Sequence, residues 1–595
     1  MELADVIERP RVDNVFLRKG PRSPQPGCIV LIGHHLIFSP AADCRKQNSL
    51  SAHNGELWLL HRAIDRVLIE PMSKDNPNRG SYLTLKCKNF MICVFEISNL
   101  DDCAAIARSI EKLSNLSGIQ HDYPFYYRCP FTVLDNGWTA FDTEQDFARL
   151  VVRCCDGWRI SSVNKSFQFF EFYFLYSLNY YSCVWVCPTY PEKVIVPKGI
   201  GDDYLRISAT FRDGGRFPVL SYCHQETRSS IIRCGQPLIG PTNRRCKEDE
   251  TILNSLLPSS SRGVIIDTRT KQIAQNARNK GGGCEPQMFY SQWKYIYSPI
   301  PRIKEIRDAL TKLMDICNEP NPVMDRWLSK LGSCGWMQLV SDALTSAATV
   351  AQCVHCEGSA EVPVVVHGGE GTDSTLLVTS LSQLLLDPDA RTIRGFESLI
   401  EREWIGAGHP FSLRCAHSAY ATGLVTGPYE SPVFLCFLDC VWQVYQQFPC
   451  SFEFTEIFLI FLFEHAYASE FGSFLGCCER EKRQYDIKNQ TVSLWSYVNN
   501  PEVLKTFVNS LYEPNKSVLW PSVAPQSICF WDRLFLRWVR DWKRANGVKQ
   551  TTMEWKLKEK ELQSKVFVLR RQFLELTKDP AYSNQLSSSS SYQAS

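Results

Sequence analysis

The sequence predicts a multidomain chain of mixed α+β and α/β class, with a small β-rich domain in front, a larger α/β domain behind it and a separate helix near the end. Three observations carry this. Apolar runs of strand character, broken by turns, fill the first hundred residues and lead into one helical stretch. From about residue 123 strands and helices alternate, with glycine-rich turns between them. Beyond residue 550 the apolar spacing changes to alternating fours and threes. A length of 595 residues exceeds what one hydrophobic core organises, in keeping with several domains.

The front domain is placed at residues 4–116. Strand-like runs lie at 15–17, 28–38, 57–61, 82–88 and 91–97. Asp101 is then placed to cap a helix over 103–113, with Ala105, Ile106, Ser109, Ile110 and Leu113 on one face. Antiparallel strands closed by one C-terminal helix describe a small barrel or sandwich of the pleckstrin-homology-like kind. That pattern specifies a β-domain and leaves open whether it binds a lipid or only packs.

The α/β domain is placed at 123–544. Val264-Ile265-Ile266-Asp267 reads as a buried strand, and 432–448 as a helix apolar on most faces. Arg326 and Trp327, and 402–404, are assigned to packing and ion pairing rather than to substrate contact.

Within this domain the apolar run 362–366 feeds a glycine-rich turn and then a helical stretch at 376–386. The segment Val366-His367-Gly368-Gly369-Glu370-Gly371-Thr372-Asp373-Ser374-Thr375 therefore has the layout of a cysteine-phosphatase loop, whose backbone N–H groups and helix N-terminus cradle an oxyanion. Such chemistry needs a thiolate nucleophile directly after the histidine and an arginine fork six residues further on. Those positions hold Gly368 and Ser374. The loop is expected to be catalytically dead. Attack by Ser374, by Thr372, or by a water activated by Glu370 or Asp373 is the rival reading, but nothing in the loop replaces the lost cation.

The net charge of +2 gives no electrostatic reason to propose nucleic acid as a partner. The 25 cysteines are scattered, and Met1-Glu2-Leu3-Ala4-Asp5 does not open a secretory signal, so the thiols are expected to be reduced in an unsecreted protein. Cys353-Val354-His355-Cys356 lacks a second pair at zinc-finger distance, and neither metal nor cofactor is expected. His355-Cys356 also imitates the start of a phosphatase loop, but Val362 stands where the arginine belongs.

Residues 167–186 form an aromatic insertion of nearly bilayer-spanning length. Its tyrosines, Asn179 and Glu171 favour an exposed inserted segment over a membrane-interface element or a spanning helix. A coiled coil is expected at 551–578, where Trp555, Leu562, Val566, Leu569, Phe573 and Leu576 follow heptad spacing interrupted by Glu559. The same stripe also fits a helix folded onto the chain's own core. Asp579-Pro580 ends it, and the serine-rich tail at 580–595 is expected to be disordered.

The loop resembles that of the myotubularins, lipid phosphatases whose motif reads Val-His-Cys-Ser-Asp-Gly-Trp-Asp-Arg-Thr. His367, Gly371, Asp373 and Thr375 match it; Gly368, Glu370, Thr372 and Ser374 depart. Further similar stretches include Arg216-Phe217-Pro218-Val219-Leu220-Ser221-Tyr222, Ile266-Asp267-Thr268-Arg269, Gly281-Gly282-Gly283 and Met324-Asp325-Arg326-Trp327-Leu328. They cover nearly the whole chain, and the match is to an inactive member of the family. The resemblance implies that the front domain is a GRAM domain, associated with phosphoinositides and partner proteins. It also implies that the chain is a regulatory subunit of myotubularin-related proteins 6, 7 and 8, which act on the 3-phosphate of phosphatidylinositol 3-phosphate and phosphatidylinositol 3,5-bisphosphate. A heteromer formed through the coiled coil, self-association, contact with phosphoinositide membranes, and a cytoplasmic location on the endosome or endoplasmic reticulum are the corresponding expectations. A phosphoinositide sensor without catalysis is the alternative.

Overall fold

The computed structural model describes residues 3–20, 23–41, 55–72, 80–141, 143–153, 157–165, 186–258, 262–320, 323–355, 361–421, 429–539, 555 and 558–571. Two units are distinguished, one holding residues 1–19 and 23–536, the other 20–22 and 537–595.

At the front of the first unit, seven strands form one antiparallel sheet: β1 (Arg11–Lys19), β2 (Gln25–Leu31), β3 (His35–Pro40), β4 (Leu57–Leu60), β5 (Ile64–Pro71), β6 (Ser81–Cys87) and β7 (Ile92–Ile97), in the order β4-β3-β2-β1-β7-β6-β5. Burial alternates along β3, β6 and β7, as expected of a sheet with one face on a core. Helix α1 (Leu100–Ser114) covers that face with Cys103, Ile106, Ala107, Ile110 and Leu113.

Three local expectations are corrected here. Residues 28–38 are two strands, because the chain turns at Ile32-Gly33-His34 and the Ile32 amide donates to His35 O at 2.9 Å. Strand β5 was not anticipated, since Asp65, Arg66 and Glu70 dilute its apolar signal. The cap of α1 is Asn99, whose side chain accepts from the Asp101 amide, and the helix starts before Asp101.

One edge of this sheet packs on the α/β domain. The buried Asp65 carboxylate accepts from the amides of Ser418 (3.1 Å) and Tyr420 (3.0 Å) and meets His417 Nδ1 at 3.0 Å. Phe90 stacks on Phe463 with ring centroids 5.1 Å apart.

The α/β domain is built on a second sheet of β10 (Val219–Cys223), β11 (Ser230–Cys234), β12 (Gly263–Asp267), β13 (Trp293–Tyr297) and β14 (Pro363–His367), ordered β10-β11-β14-β12-β13; β8 (Trp158–Ser161) and β9 (Val194–Pro197) pair separately. Only β10 runs antiparallel to its neighbour. The strand β14 is therefore central and parallel to both flanking strands, which explains why all five of its residues are buried. Helices α2 (Trp336–His355) and α3 (Ser374–Leu386) pack on it, and α4 (Val433–Gln447) packs on both of them. Helix α3 touches α2, α4, β11 and β14, so it is buried on nearly every side. Its hydroxyls turn back on the helix, Ser380 to Leu376 O (2.6 Å) and Ser382 to Val378 O (2.7 Å).

Trp327 and Trp404 serve packing, as expected: Trp327 Nε1 donates to Ile316 O and Trp404 Nε1 to Ser380 Oγ. Among the described residues no helix is long and apolar enough to cross a membrane. Residues 167–185 of the aromatic insertion lie outside them, as do Phe573 and Leu576. In the second unit residues 558–571 are helical, and the stripe is in solvent: Trp555 is 68%, Leu562 59%, Val566 49% and Leu569 61% exposed.

Candidate functional site

The glycine-rich loop leaves the C-terminal end of β14 and enters the N-terminus of α3, so it sits where a parallel sheet ordinarily binds ligands. His367, the last strand residue, is fully buried, and its Nε2 lies 3.0 Å from Glu285 Oε2. Glu285 also takes a hydrogen bond from Arg212 Nη1 at 2.6 Å, and Arg212 forks onto Asp249 through Nε (2.9 Å) and Nη2 (2.6 Å). Burial alone would raise the Glu285 carboxyl, but His367 and Arg212 hold it well below the carboxylate range. This ionic cluster fixes the histidine from beneath.

At Gly368 the space for a side chain is already taken. A Cβ built there would stand 2.5 Å from Thr268 Oγ1 and 2.8 Å from Ser374 Oγ. Those two hydroxyls are hydrogen-bonded to each other at 2.7 Å, so they bridge the end of β12 to the start of α3. The Thr268 amide also donates to His367 O at 2.9 Å.

The rest of the loop is fixed from outside. Gly369 O accepts from the Gln236 amide (2.9 Å), and Gly371 has φ +81, where a Cβ would lie 2.6 Å from Cys234 O. Arg216 donates from Nη2 to Gly371 O (3.0 Å) and from Nη1 to Ala407 O (2.9 Å). Asp373 does not cap α3; Arg414 holds its carboxylate with two bonds, Nε to Oδ1 (2.9 Å) and Nη2 to Oδ2 (2.7 Å). Burial raises the Asp373 carboxyl, but Arg414 outweighs it and keeps it below the ordinary value. His409 Nδ1 meets Thr372 O at 2.9 Å; burial pushes this imidazole down to about 4, so it is neutral at pH 7. Glu370 is exposed, and its carboxyl is raised by partial burial and by Asp373 and Asp213.

The loop residues singled out from the sequence thus come together at one sheet end; the C-terminal stripe belongs to the other unit. Sequence reasoning gave no role to Thr268, Arg212, Asp249, Glu285, Arg216, His409 and Arg414. Thr268 and Arg216 sat in stretches already noted for their resemblance, whereas Glu285, His409 and Arg414 carried no spacing signal. Among the described residues, one group of side chains converges as a metal site would, His224, Glu226 and His355, and it lies away from this loop.

Residues 122–483 match the myotubularin-like phosphatase domain, and residues 11–114 match the GRAM domain of MTMR6-9. The chain is 58% identical over 584 residues to myotubularin-related protein 9 of Caenorhabditis elegans, covering 97% of this chain and 99% of that protein. To the human myotubularin-related protein 9 it is 48% identical over 578 residues, 97% and 98% of the two chains. To the human phosphatidylinositol-3,5-bisphosphate 3-phosphatase MTMR8 it is 31% identical over 578 residues, 95% of this chain and 76% of that one. With a GRAM-type β-domain in front of a phosphatase-like α/β domain, this chain belongs to the myotubularin family.

Proposed function

We propose that the chain is a pseudophosphatase, a regulatory adaptor that binds active myotubularin-related phosphatases and raises their activity, stability or targeting. The observation that carries the non-catalytic half is Gly368. It stands where the family motif has its nucleophilic cysteine, and the Thr268–Ser374 hydrogen bond occupies the space that a side chain there would need. Substituted chemistry has little to draw on. Ser374 Oγ is held by Thr268, both Asp373 oxygens are held by Arg414, and residues 367–375 contain no lysine or arginine to balance equatorial phosphate charge.

Support for the adaptor half comes from the exposed stripe of Trp555, Leu562, Val566 and Leu569, which burial against a partner helix would stabilise. Two relatives, MTMR8 and MTMR6, carry names that state a 3-phosphatase activity toward phosphatidylinositol 3,5-bisphosphate; with member 7, which the resemblance of the loop adds, they are the partners we propose, acting on endomembranes. Purified chain should release no phosphate from phosphatidylinositol 3-phosphate or phosphatidylinositol 3,5-bisphosphate. Turnover above a heat-denatured control, abolished by a change within 367–375, would overturn this.

A second reading, a phosphoinositide sensor, is favoured by the loop's shape, since Gly371 and the α3 N-terminus keep the form of an anion cradle. Vesicle binding that depends on the loop, without any effect on a partner phosphatase, would favour the sensor.

A further inference from the structure

At the opposite end of the second sheet from the phosphatase-like loop, a turn and a helix end bring three metal-ligating side chains together. Ser230, at the start of β11, pairs with Pro363, whereas Cys234 pairs with His367. The β10–β11 turn is therefore about 13 Å of strand away from the loop. His224 and Glu226 lie in that turn, and His355 is the last residue of α2. His224 Nε2 and His355 Nδ1 stand 3.1 Å apart, and with a Glu226 carboxylate oxygen all three ligand atoms lie within 4.8 Å of one another.

We propose that His224, Glu226 and His355 form a site for a divalent cation of the zinc class. Two imidazole nitrogens at about 2.0–2.1 Å from a tetrahedral zinc ion stand about 3.3–3.4 Å apart, so the two histidines need shift by only a few tenths of an ångström, and the exposed Glu226 side chain by up to about 1.4 Å, to close the site. Two imidazoles and one carboxylate suit zinc better than magnesium or calcium, which take oxygen ligands, and they leave one position for water.

Two further observations agree. The turn is already fastened to the helix end by Thr227 Oγ1, which donates to Val354 O at 2.7 Å, so the ligands are carried on backbone that is already joined. The helix end presents the negative pole of a 20-residue helix, which favours a cation. The hydrogen bond between the two histidines accounts for their separation, and the Glu226 carboxylate beside them completes a ligand set that a histidine pair alone does not make. The ion would clasp the β10–β11 turn to α2, away from the phosphatase-like loop.

The test is competition for Zn2+ against a chromophoric chelator, using metal-free full-length chain, His355→Ala and Glu226→Gln. The cysteine background is common to all three proteins. The wild type should bind one equivalent that His355→Ala lacks and that Glu226→Gln holds at least about tenfold more weakly. Zn2+ should raise the thermal midpoint of the wild type more than that of either variant. Equal stoichiometry and affinity in wild type and Glu226→Gln would overturn the site. Because Glu226 is exposed, that comparison stands even if His355→Ala does not fold.

Discussion

Around the loop after β14, charge is buried and paired: Glu285 holds Arg212 and His367, Asp249 holds Arg212, and Asp373 holds Arg414. At Trp555 and along residues 558–571 the opposite holds, with large apolar side chains exposed and a Glu561–Lys565 ion pair on the surface. The loop is held from several sides, with Gly368 and Ser374 at the positions where the family motif has cysteine and arginine. The helix keeps an apolar surface that no described residue of its own unit buries. On the proposed reading the first region serves architecture and the second a partner, so they should respond differently to substitution, and four changes probe that difference.

The largest stability effect should come from Arg212→Met, which leaves Asp249 and Glu285 buried without their shared cation. Breaking such a group costs about 3–5 kcal/mol, read as a fall in the urea midpoint; an unchanged midpoint would contradict the view that the ionic cluster holds the loop.

His409 should add an acid-sensitive term of about 3 kcal/mol, from a pKa near 4 in the folded chain against 6.5 unfolded. Between those values the unfolded chain binds more protons, so the contribution is full above pH 6.5 and is lost as pH falls through 4. Denaturant midpoints of His409→Gln should lack that part of the fall. Parallel profiles for variant and wild type would remove His409 from the account.

Gly368→Cys should cost about 1–3 kcal/mol by overpacking against Thr268 and Ser374 and should give no turnover. Gly368→Cys with Ser374→Arg should also stay inactive, because Thr268 still crowds the new Cβ and Glu370 and Thr372 still depart from the family motif. Phosphate release by the double variant would show that two substitutions alone separate this loop from an enzyme.

The smallest stability effect should come from charged residues at Leu562, Val566 and Leu569, which should move the chain's own unfolding midpoint by less than about 0.5 kcal/mol. Each large residue buried against a partner helix contributes roughly 1.5–3 kcal/mol, so capture of an active phosphatase should nevertheless be lost. A clear fall in midpoint would instead place the stripe on the chain's own core.

Legibility in the sequence followed the range of the signal. The loop was readable because a β-branched run, three glycines and a helical stretch are contiguous from 362 to 386, and the stripe because heptad spacing is local. Strand β5 was missed because its polar residues serve an interface: Asp65 holds the Ser418 and Tyr420 amides from a distant segment. The cap of α1 was misplaced because Asn99 and Asp101 are both good caps two residues apart. Thr268, Arg212, Glu285 and Arg414 reach the site from four separate segments, and no spacing in one sequence announces that. The pairing of His355 with His224 has the same origin, since a search for adjacent cysteine pairs does not see a histidine 131 positions away.

The most direct test of the central claim is the initial rate of an active myotubularin-related 3-phosphatase on phosphatidylinositol 3-phosphate vesicles, with this chain added as wild type or as the Leu562, Val566 and Leu569 variant. The account predicts a higher rate with the wild type, no change with the variant, and no phosphate from the chain alone. An unchanged rate with the wild type, or phosphate released by the chain without a partner, would contradict it.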